Sequence, residues 1–457
     1  MLPDNVKLFM GGRGLEEEVP CHWSSPTFVV DKAWEKVKEV GRASLDAYMS
    51  YCRSFGFKHS YLLGLDILIT GVIGQDRKSV VDIRPTILEG PCCNSYPACP
   101  NFYPSRLYAR ATHEGLNLDS IDWEVHPTKI RDEIIGAFQA IWEARGNPGK
   151  PVVAVLTRPY PESEEETAHV LMLERLGALG YKAFRITPDE VPSVKSGKLH
   201  VHGIPIDICY RRIERVHVPM FYGWPFAMDV VYHCPNTVFF NPWEIDDLRS
   251  KTIEEQAFRQ WEWRTGKSVS RPVTLLGKEI TRENVHKMIM GGGGFALKKW
   301  NSTGGKGVFL HTYEPMSGAV YDKLYKRYDG RHMVLMTKEN LEEHLAVFDD
   351  FQQDAAIQQM RTIDARAIGE EERLVYDTRI NVLYNELDKE WRFISGMSRT
   401  VPCGPTLENG NSLLTNVSSG AHMSPLVIGH TKGGNTEGMI FGPLLQALMA
   451  GKTETVI

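Results

Sequence analysis

No run of apolar residues in this 457-residue chain approaches the length of a membrane span. The opening MLPDNVKLFMGGRG lacks the apolar core of a signal peptide, so a cytoplasmic location without a membrane partner is the expectation. A charge excess is missing too. The formal net charge of −5 gives no general attraction to nucleic acid or to an anionic membrane surface. Cysteine is sparse, with eight residues of which only Cys92, Cys93 and Cys99 cluster, and no paired CxxC accompanies them. That is a poor zinc signature, and buried or incidental reduced thiols are the reading. There is no GxSxG nucleophile motif and no HExxH, and the 15 histidines are scattered. No internal repeat or low-complexity segment stands out, so the chain reads as globular throughout.

With 42% hydrophobic and 24% charged residues, the composition is that of an ordinary soluble globular protein, and the length allows two or three domains or one large enzyme built in several lobes. Residues 31–55 carry helical periodicity. YLLGLDILITG at 61–71 then predicts a strand and SVVDIRPTI at 79–87 its hairpin partner, with another helix over 125–145. GNPGKP at 146–151 is linker-like punctuation. After it, PVVAVLT predicts a strand, EEETAHVLMLERLGALG a helix closed by Gly180, YKAFRIT a second strand and KLHVHGIPIDICYRRI a hairpin. Residues 151–215 thus read as a small open α/β domain whose parallel strands would end at a cleft. From about residue 273 strands and helices alternate again, including AAIQQMR, RLVYDTRINVLYN and EWRFISGMSRTV.

The segment FALKKWNSTGGKGVFLH, 295–311, carries the chemistry that the composition does not. It is not a P-loop, because Lys306 is followed by Gly307 and no glycine lies five before Gly305. Nor is it a dinucleotide fingerprint, because a strand-like VFLHTYEP follows the glycines where a helix is required. The loop therefore joins two strands. Gly304, Gly305 and Gly307 let backbone N–H groups approach anionic oxygens, and Ser302 and Thr303 can donate. A plain β-hairpin turn has the same composition. Alternation puts Lys298 and Lys299 on opposite faces of the first strand, so one of them faces inward, and a buried lysine calls for an anion.

Strand, lysine, Ser/Thr/Gly loop and second strand resemble the ATP-grasp superfamily. Lys251 in LRSKTIEE sits where that family's first nucleotide lysine would be, and Lys298 where the second would be. IQQMR at 357–361, with Gln358 and Gln359, resembles the hinge strand that holds adenine. DTR at 377–379, Arg399 in GMSRT and NVSSG from Asn416 resemble the D-x-R, R and N-x-x-x-G series of the third lobe. Only about 40 residues follow Asn416, and their only acids, Glu437 and Glu454, are far apart, so the usual downstream metal ligands are missing. GLDILITG…SVVDIRPT supplies a candidate hairpin at the front of the chain, with Asp66 and Asp82 on successive strands. Such displacement is similar to the circularly permuted ATP-grasp proteins, the group that includes glutathionylspermidine synthetase-like ligases. In this chain Asp82 replaces a glutamate and Arg84 stands where an asparagine ligand is expected, so Glu89 or Asn94 would complete the shell.

The resemblance implies an α/β (α+β) fold of ATP-grasp type in permuted order, with a small open α/β domain before the nucleotide lobes. Residues 1–145 would carry the displaced hairpin, 151–250 the small substrate-side domain and 251–457 the nucleotide-binding lobes. The implied cofactors are ATP and Mg²⁺. Lys251, Lys298, Ser302, Thr303, Gly304, Gly305, Lys306, Gly307, Gln358, Gln359 and Asn416 would hold the nucleotide, and Asp66, Asp82 and Glu89 the metal. Arg379 and Arg399 would meet the transferred phosphoryl group, and Arg211 or Arg212 in YRRIE would clamp a substrate carboxylate through arginine's planar fork. The implied reaction joins a small-molecule carboxylate to an amine through an acyl phosphate, in a protein of the homodimer kind. A thiol acceptor, a kinase, or a nucleotide-binding protein without turnover are the alternatives on the same fold.

Overall fold

A computed structural model of the chain describes residues 27–73, 80–92, 104, 108–109, 121–157, 164–190, 192–281, 283–284, 287, 294–299, 308–312, 333–336, 355–359, 365–366, 373–403 and 422–431. Among them the fold is mixed α/β with several sheets. The largest sheet runs β1 (Thr27–Val30), β20 (His422–Thr431), β19 (Glu390–Cys403), β18 (Arg373–Asn385), β2 (Leu62–Ile73), β3 (Val80–Glu89). At its margins β4 (Ile121–Trp123) pairs with β20 and β17 (Ala365–Arg366) with β18. Residues from the front and the back of the chain therefore share one sheet, joined where β2 lies antiparallel to β18.

Alternation along β2 decides what its two faces do. Leu63, Leu65, Ile67 and Ile69 point into a core shared with α1 (Asp31–Phe55) and α7 (Lys251–Thr265). Trp34, Leu45, Tyr48, Phe258 and Trp261 fill that core from the helices. α1 approaches so closely that a Cβ on Gly41 would stand 2.9 Å from the Phe393 ring and 3.3 Å from Leu65. On the opposite face Leu62 joins a second core, and Gly64 and Asp66 follow it along the strand.

α2 (Ile130–Ala144) fills that second core with Ile130, Ile134, Phe138 and Ile141. It packs against Leu62, Leu383 and Ile394 of the large sheet and also against a four-stranded parallel sheet. The latter is ordered β11 (Val238–Phe239), β10 (Ile208–Arg211), β5 (Val153–Leu156), β6 (Ala183–Ile186). α3 (Glu164–Ala178) connects β5 to β6, which forces it antiparallel to both strands. Here the single hairpin expected over KLHVHGIPIDICYRRI is corrected. β8 (Lys198–Val201) and β9 (Ile204–Pro205) form the hairpin, with β7 (Ser193–Lys195) alongside, whereas Ile208–Arg211 leaves it and runs parallel to β5. All four residues of β10 are buried, and a short apolar run covered on both faces carries no alternation to reveal its partner.

α4 (Val218–Tyr222), α5 (Trp224–Tyr232) and α6 (Ile245–Leu248) lead on to α7, whose first turn is capped by the Ser250 hydroxyl accepting from Thr252 and Ile253 N–H. The last sheet is ordered β12 (Thr274–Leu276), β16 (Ala355–Gln359), β13 (Gly294–Lys299), β14 (Val308–Thr312), β15 (Met333–Met336). No described helix is long and apolar enough to cross a membrane.

Candidate active site

Three of the residues singled out in the sequence meet on one face of the large sheet. Pairing places Asp66 of β2 beside Arg379 of β18, and Arg379 beside Met397 of β19, so Arg399 lies two residues further along the same face. Asp66 is 3% exposed. Its Oδ1 accepts from Arg379 Nε at 2.7 Å, and its Oδ2 from Arg379 Nη2 at 2.7 Å and Arg399 Nη2 at 2.9 Å. Burial alone would raise the Asp66 carboxyl, but the Arg379 and Arg399 charges and hydrogen bonds overcome it and hold the group well below the usual carboxylate range. The strands underneath are fixed by Thr378 Oγ1 donating to the Ile67 carbonyl and Asn381 Nδ2 donating to Ser395 Oγ at 2.8 Å.

The next strand continues the row. Glu89, at the end of β3, is the pairing partner of Asp66. Lys251 Nζ donates to the Leu88 carbonyl at 3.0 Å and lies 3.4 Å from both Glu89 Oε1 and Glu254 Oε1. The helix start of α7 thus brings the expected nucleotide lysine alongside the Asp66 row. A metal is another matter. The three N–H donors on Asp66 and the lysine beside Glu89 pair these acids with cations in this structure. A carboxylate engaged by one guanidinium fork and a single N–H of a second arginine is a poor fit for a divalent cation. Among the described residues no group of three or more His, Cys, Asp or Glu side chains could hold a metal ion.

The arginines of YRRIE separate. Arg211 is fully buried, and Nε, Nη1 and Nη2 make five hydrogen bonds, to the carbonyls of Asn241, Ile213 and Pro242 and to both oxygens of Asp246. Its guanidinium carbon also lies 4.1 Å from the Trp243 ring centroid. The five N–H groups of a guanidinium are thereby spoken for. Arg211 is a pin between strand end and loop. Arg212 remains as the candidate, at the carboxyl edge of the parallel sheet, where its backbone N–H donates to the Leu156 carbonyl at 2.7 Å.

On the nucleotide side, β13 pairs with both β14 and β16, with Lys298 opposite Val308 and Ala356, and Gln358 opposite Ala296. Gln359 stands opposite Phe295. Asp82 has a strand position opposite Val72. The side chains of Lys298, Gln358, Gln359 and Asp82 lie outside the described set, as do Ser302, Thr303, Gly304, Gly305, Lys306, Gly307, Asn94 and Asn416 altogether. Of the cysteine cluster, Cys92 is buried, as a reduced thiol would be.

Sequence reasoning missed His169 and Arg185, which reach the same carboxyl edge as Arg212. The signal was present but bland, because His169 falls three residues before Met172 and seven before Leu176 on the buried stripe of α3, where a histidine reads as core.

No family model matches the chain, and no curated protein matches it. Among solved structures, a glutathione synthetase-like effector from Globodera pallida in its apo form is similar at 12% identity and TM-score 0.49, over 89% of each chain. A protein from Methylobacillus flagellatus with a provisional gamma-glutamylcysteine synthetase name is similar at 10% identity and TM-score 0.44, over 92% of this chain and 91% of that one. Likenesses this distant assign neither a family nor an activity.

Proposed function

We propose that the protein is an ATP-dependent ligase that joins a carboxylate to an amine. In the reaction, a carboxylate oxygen of the acid attacks the γ-phosphorus of ATP and ADP leaves. The amine nitrogen then attacks the acyl carbon, loses a proton and expels phosphate, leaving an amide. The observation that carries the reading is the Asp66 row, where two arginine forks separated from Asp66 by 313 and 333 residues are oriented by one buried carboxylate. Phosphoryl and acyl transfer are served chiefly by positioning and by neutralising charge on oxygens, which is what fixed arginines do. Asp66 then acts by orienting Arg379 and Arg399, and Lys251 is the neighbouring cation on the nucleotide side. Mg²⁺ accompanies ATP in this reading, but Asp66 and Glu89 do not fit as its ligands, and no step is assigned to it.

A second reading, nucleotide binding without turnover, is favoured by the same pairing of Asp66 and Glu89 with cations. One assay separates the two. The chain is incubated with Mg·ATP and a panel of amino acids, peptides and polyamines, and ADP, phosphate and amide products are followed by mass spectrometry. Stoichiometric ADP, phosphate and amide are expected. ADP without any amide rules out ligation, binding without ADP leaves the second reading, and no Mg·ATP binding removes both.

A further inference from the structure

The large apolar side chains that face solvent are not scattered over this molecule. Of the nine among the described residues, five fall within 216–232: Val216, Met220, Trp224, Met228 and Tyr232, each 46–73% exposed. In α5, Trp224, Met228 and Tyr232 recur every fourth residue and so share one face. Val216 and Met220 precede them at the same spacing, on the turns before Gly223. The inner side of these helices is apolar as well. Val218, Ala227 and Val230 are buried in the core against the small parallel sheet, with Phe221 and Phe226 packed on it. A helix that is apolar all round belongs to an interior, yet α5 turns one apolar side outward.

The face stands on a fixed platform. The Tyr222 hydroxyl lies 2.7 Å from the Thr157 carbonyl and 2.8 Å from that of Ile186, which ties α4 to the strand ends beneath it. A surface held in this way needs little ordering when a partner docks. Its composition points to the kind of partner. Aromatic residues and Met are enriched in protein interfaces, and Lys, Glu and Asp are depleted. WPFAMDVVY carries one charged side chain, Asp229, whose Oδ1 lies 3.4 Å from His233 Nδ1. The face therefore has almost no charge with which to draw a partner of opposite sign, or to repel its own copy.

Area agrees with a second copy. At about 150–250 Å² for a large side chain, the five residues open roughly 600 Å² of apolar surface, the upper end of what a monomer leaves bare. That is most of the roughly 800 Å² each partner buries in an interface of standard size, and homodimer interfaces are the more apolar class. Two copies of α5 laid antiparallel across a two-fold axis would set Trp224 against Tyr232 of the partner subunit, and the reverse.

We infer that the outer face of α4 and α5 is the surface through which two copies of this chain associate as a symmetric dimer. The inference does not depend on ligation or on nucleotide binding.

The test is sedimentation velocity and equilibrium on the intact chain, with no nucleotide present. A dimer is expected at concentrations up to about 0.1 mM. Trp224→Lys and Met228→Lys should each weaken it by roughly a hundredfold or more, because a substitution at a two-fold interface acts twice. Both side chains are exposed in the single chain, so the circular dichroism spectrum should not change, and the second variant serves if the first misfolds. A monomer that binds phosphatidylcholine vesicles assigns the face to a membrane surface and overturns the inference, as does a monomer that binds nothing. A dimer that neither substitution weakens associates elsewhere and overturns it equally. Because ATP is left out, this result is separate from the success or failure of the ligase assay.

Discussion

Arg379 and Arg399 meet at the carboxylate of Asp66, whereas the charges of Arg185 and Arg212 act on the imidazole of His169. In both clusters the buried group at the centre has a lowered pKa, through the arginine charges at Asp66 and mainly through burial at His169. The consequences are opposite. A depressed acid is charged, so the first cluster supplies its own anion and is held by it. A depressed base is neutral, so His169 itself carries no charge toward its arginines. Arginine pairs of equal formal charge can thus surround a charged acid or a neutral base, and only in the first case does the group between them bind them.

The largest expected effect breaks the first cluster. Asp66→Asn leaves two buried guanidinium groups facing an amide, and should cost about 3–5 kcal/mol in denaturant unfolding, as removal of one partner of a buried ion pair does. Stability supplied by the Asp66 charge is present above the unfolded carboxyl value near 3.8 and is lost as pH falls below it, so Asp66→Asn should show a flatter acid limb. Arg399→Gln removes one of the three donors and should cost about 1.5–3 kcal/mol, with Arg379 still holding both oxygens. If Asp66→Asn were no worse than Arg399→Gln, the carboxylate would not be the organising charge.

His169 adds a loss of the same sign in a higher pH window. Unfolded His169 takes a proton below about 6.5, while the folded imidazole stays neutral down to about 3, so stability falls as pH drops through that window. The loss approaches about 1.4 kcal/mol per pH unit, and His169→Gln should remove that slope when unfolding is measured between pH 6 and 4. The smallest effect separates the two causes. Burial outranks the arginines in depressing His169, so Arg212→Gln should raise its NMR-measured pKa by only a minor part of the depression.

Some of this was legible in the chain and some was not, for physical reasons. RLVYDTRINVLYN gives β18 its bounds because a half-buried strand writes alternation into its sequence, and 31–55 gives α1 because its buried stripe recurs at helical spacing. β10 was misassigned because four residues buried on both faces look the same in a hairpin as in a parallel sheet. Asp66, Arg379 and Arg399 could each be picked out by residue type and motif. Their mutual contact could not, since it depends on the register of strands more than 300 residues apart. Arg211 and Arg212 were indistinguishable as neighbours, and only tertiary structure shows that one is spent on Asn241, Pro242 and Asp246.

The antiparallel seam between β2 and β18 also sets a timetable for synthesis. Arg379 emerges from the ribosome 313 residues after Asp66, so at 5–20 residues per second the β18-facing edge of β2 waits about 15–60 s for its partner. α1 precedes β2 in the chain and can shelter Leu63, Leu65 and Ile67 from the start, but it covers a face and leaves that edge open. The nascent chain therefore passes through a long interval with a solvent-facing strand edge and an unneutralised Asp66. A negative charge on an unpaired edge discourages the strand from pairing with other chains. The carboxylate that orients two arginines in the finished sheet is thus made long before either of them.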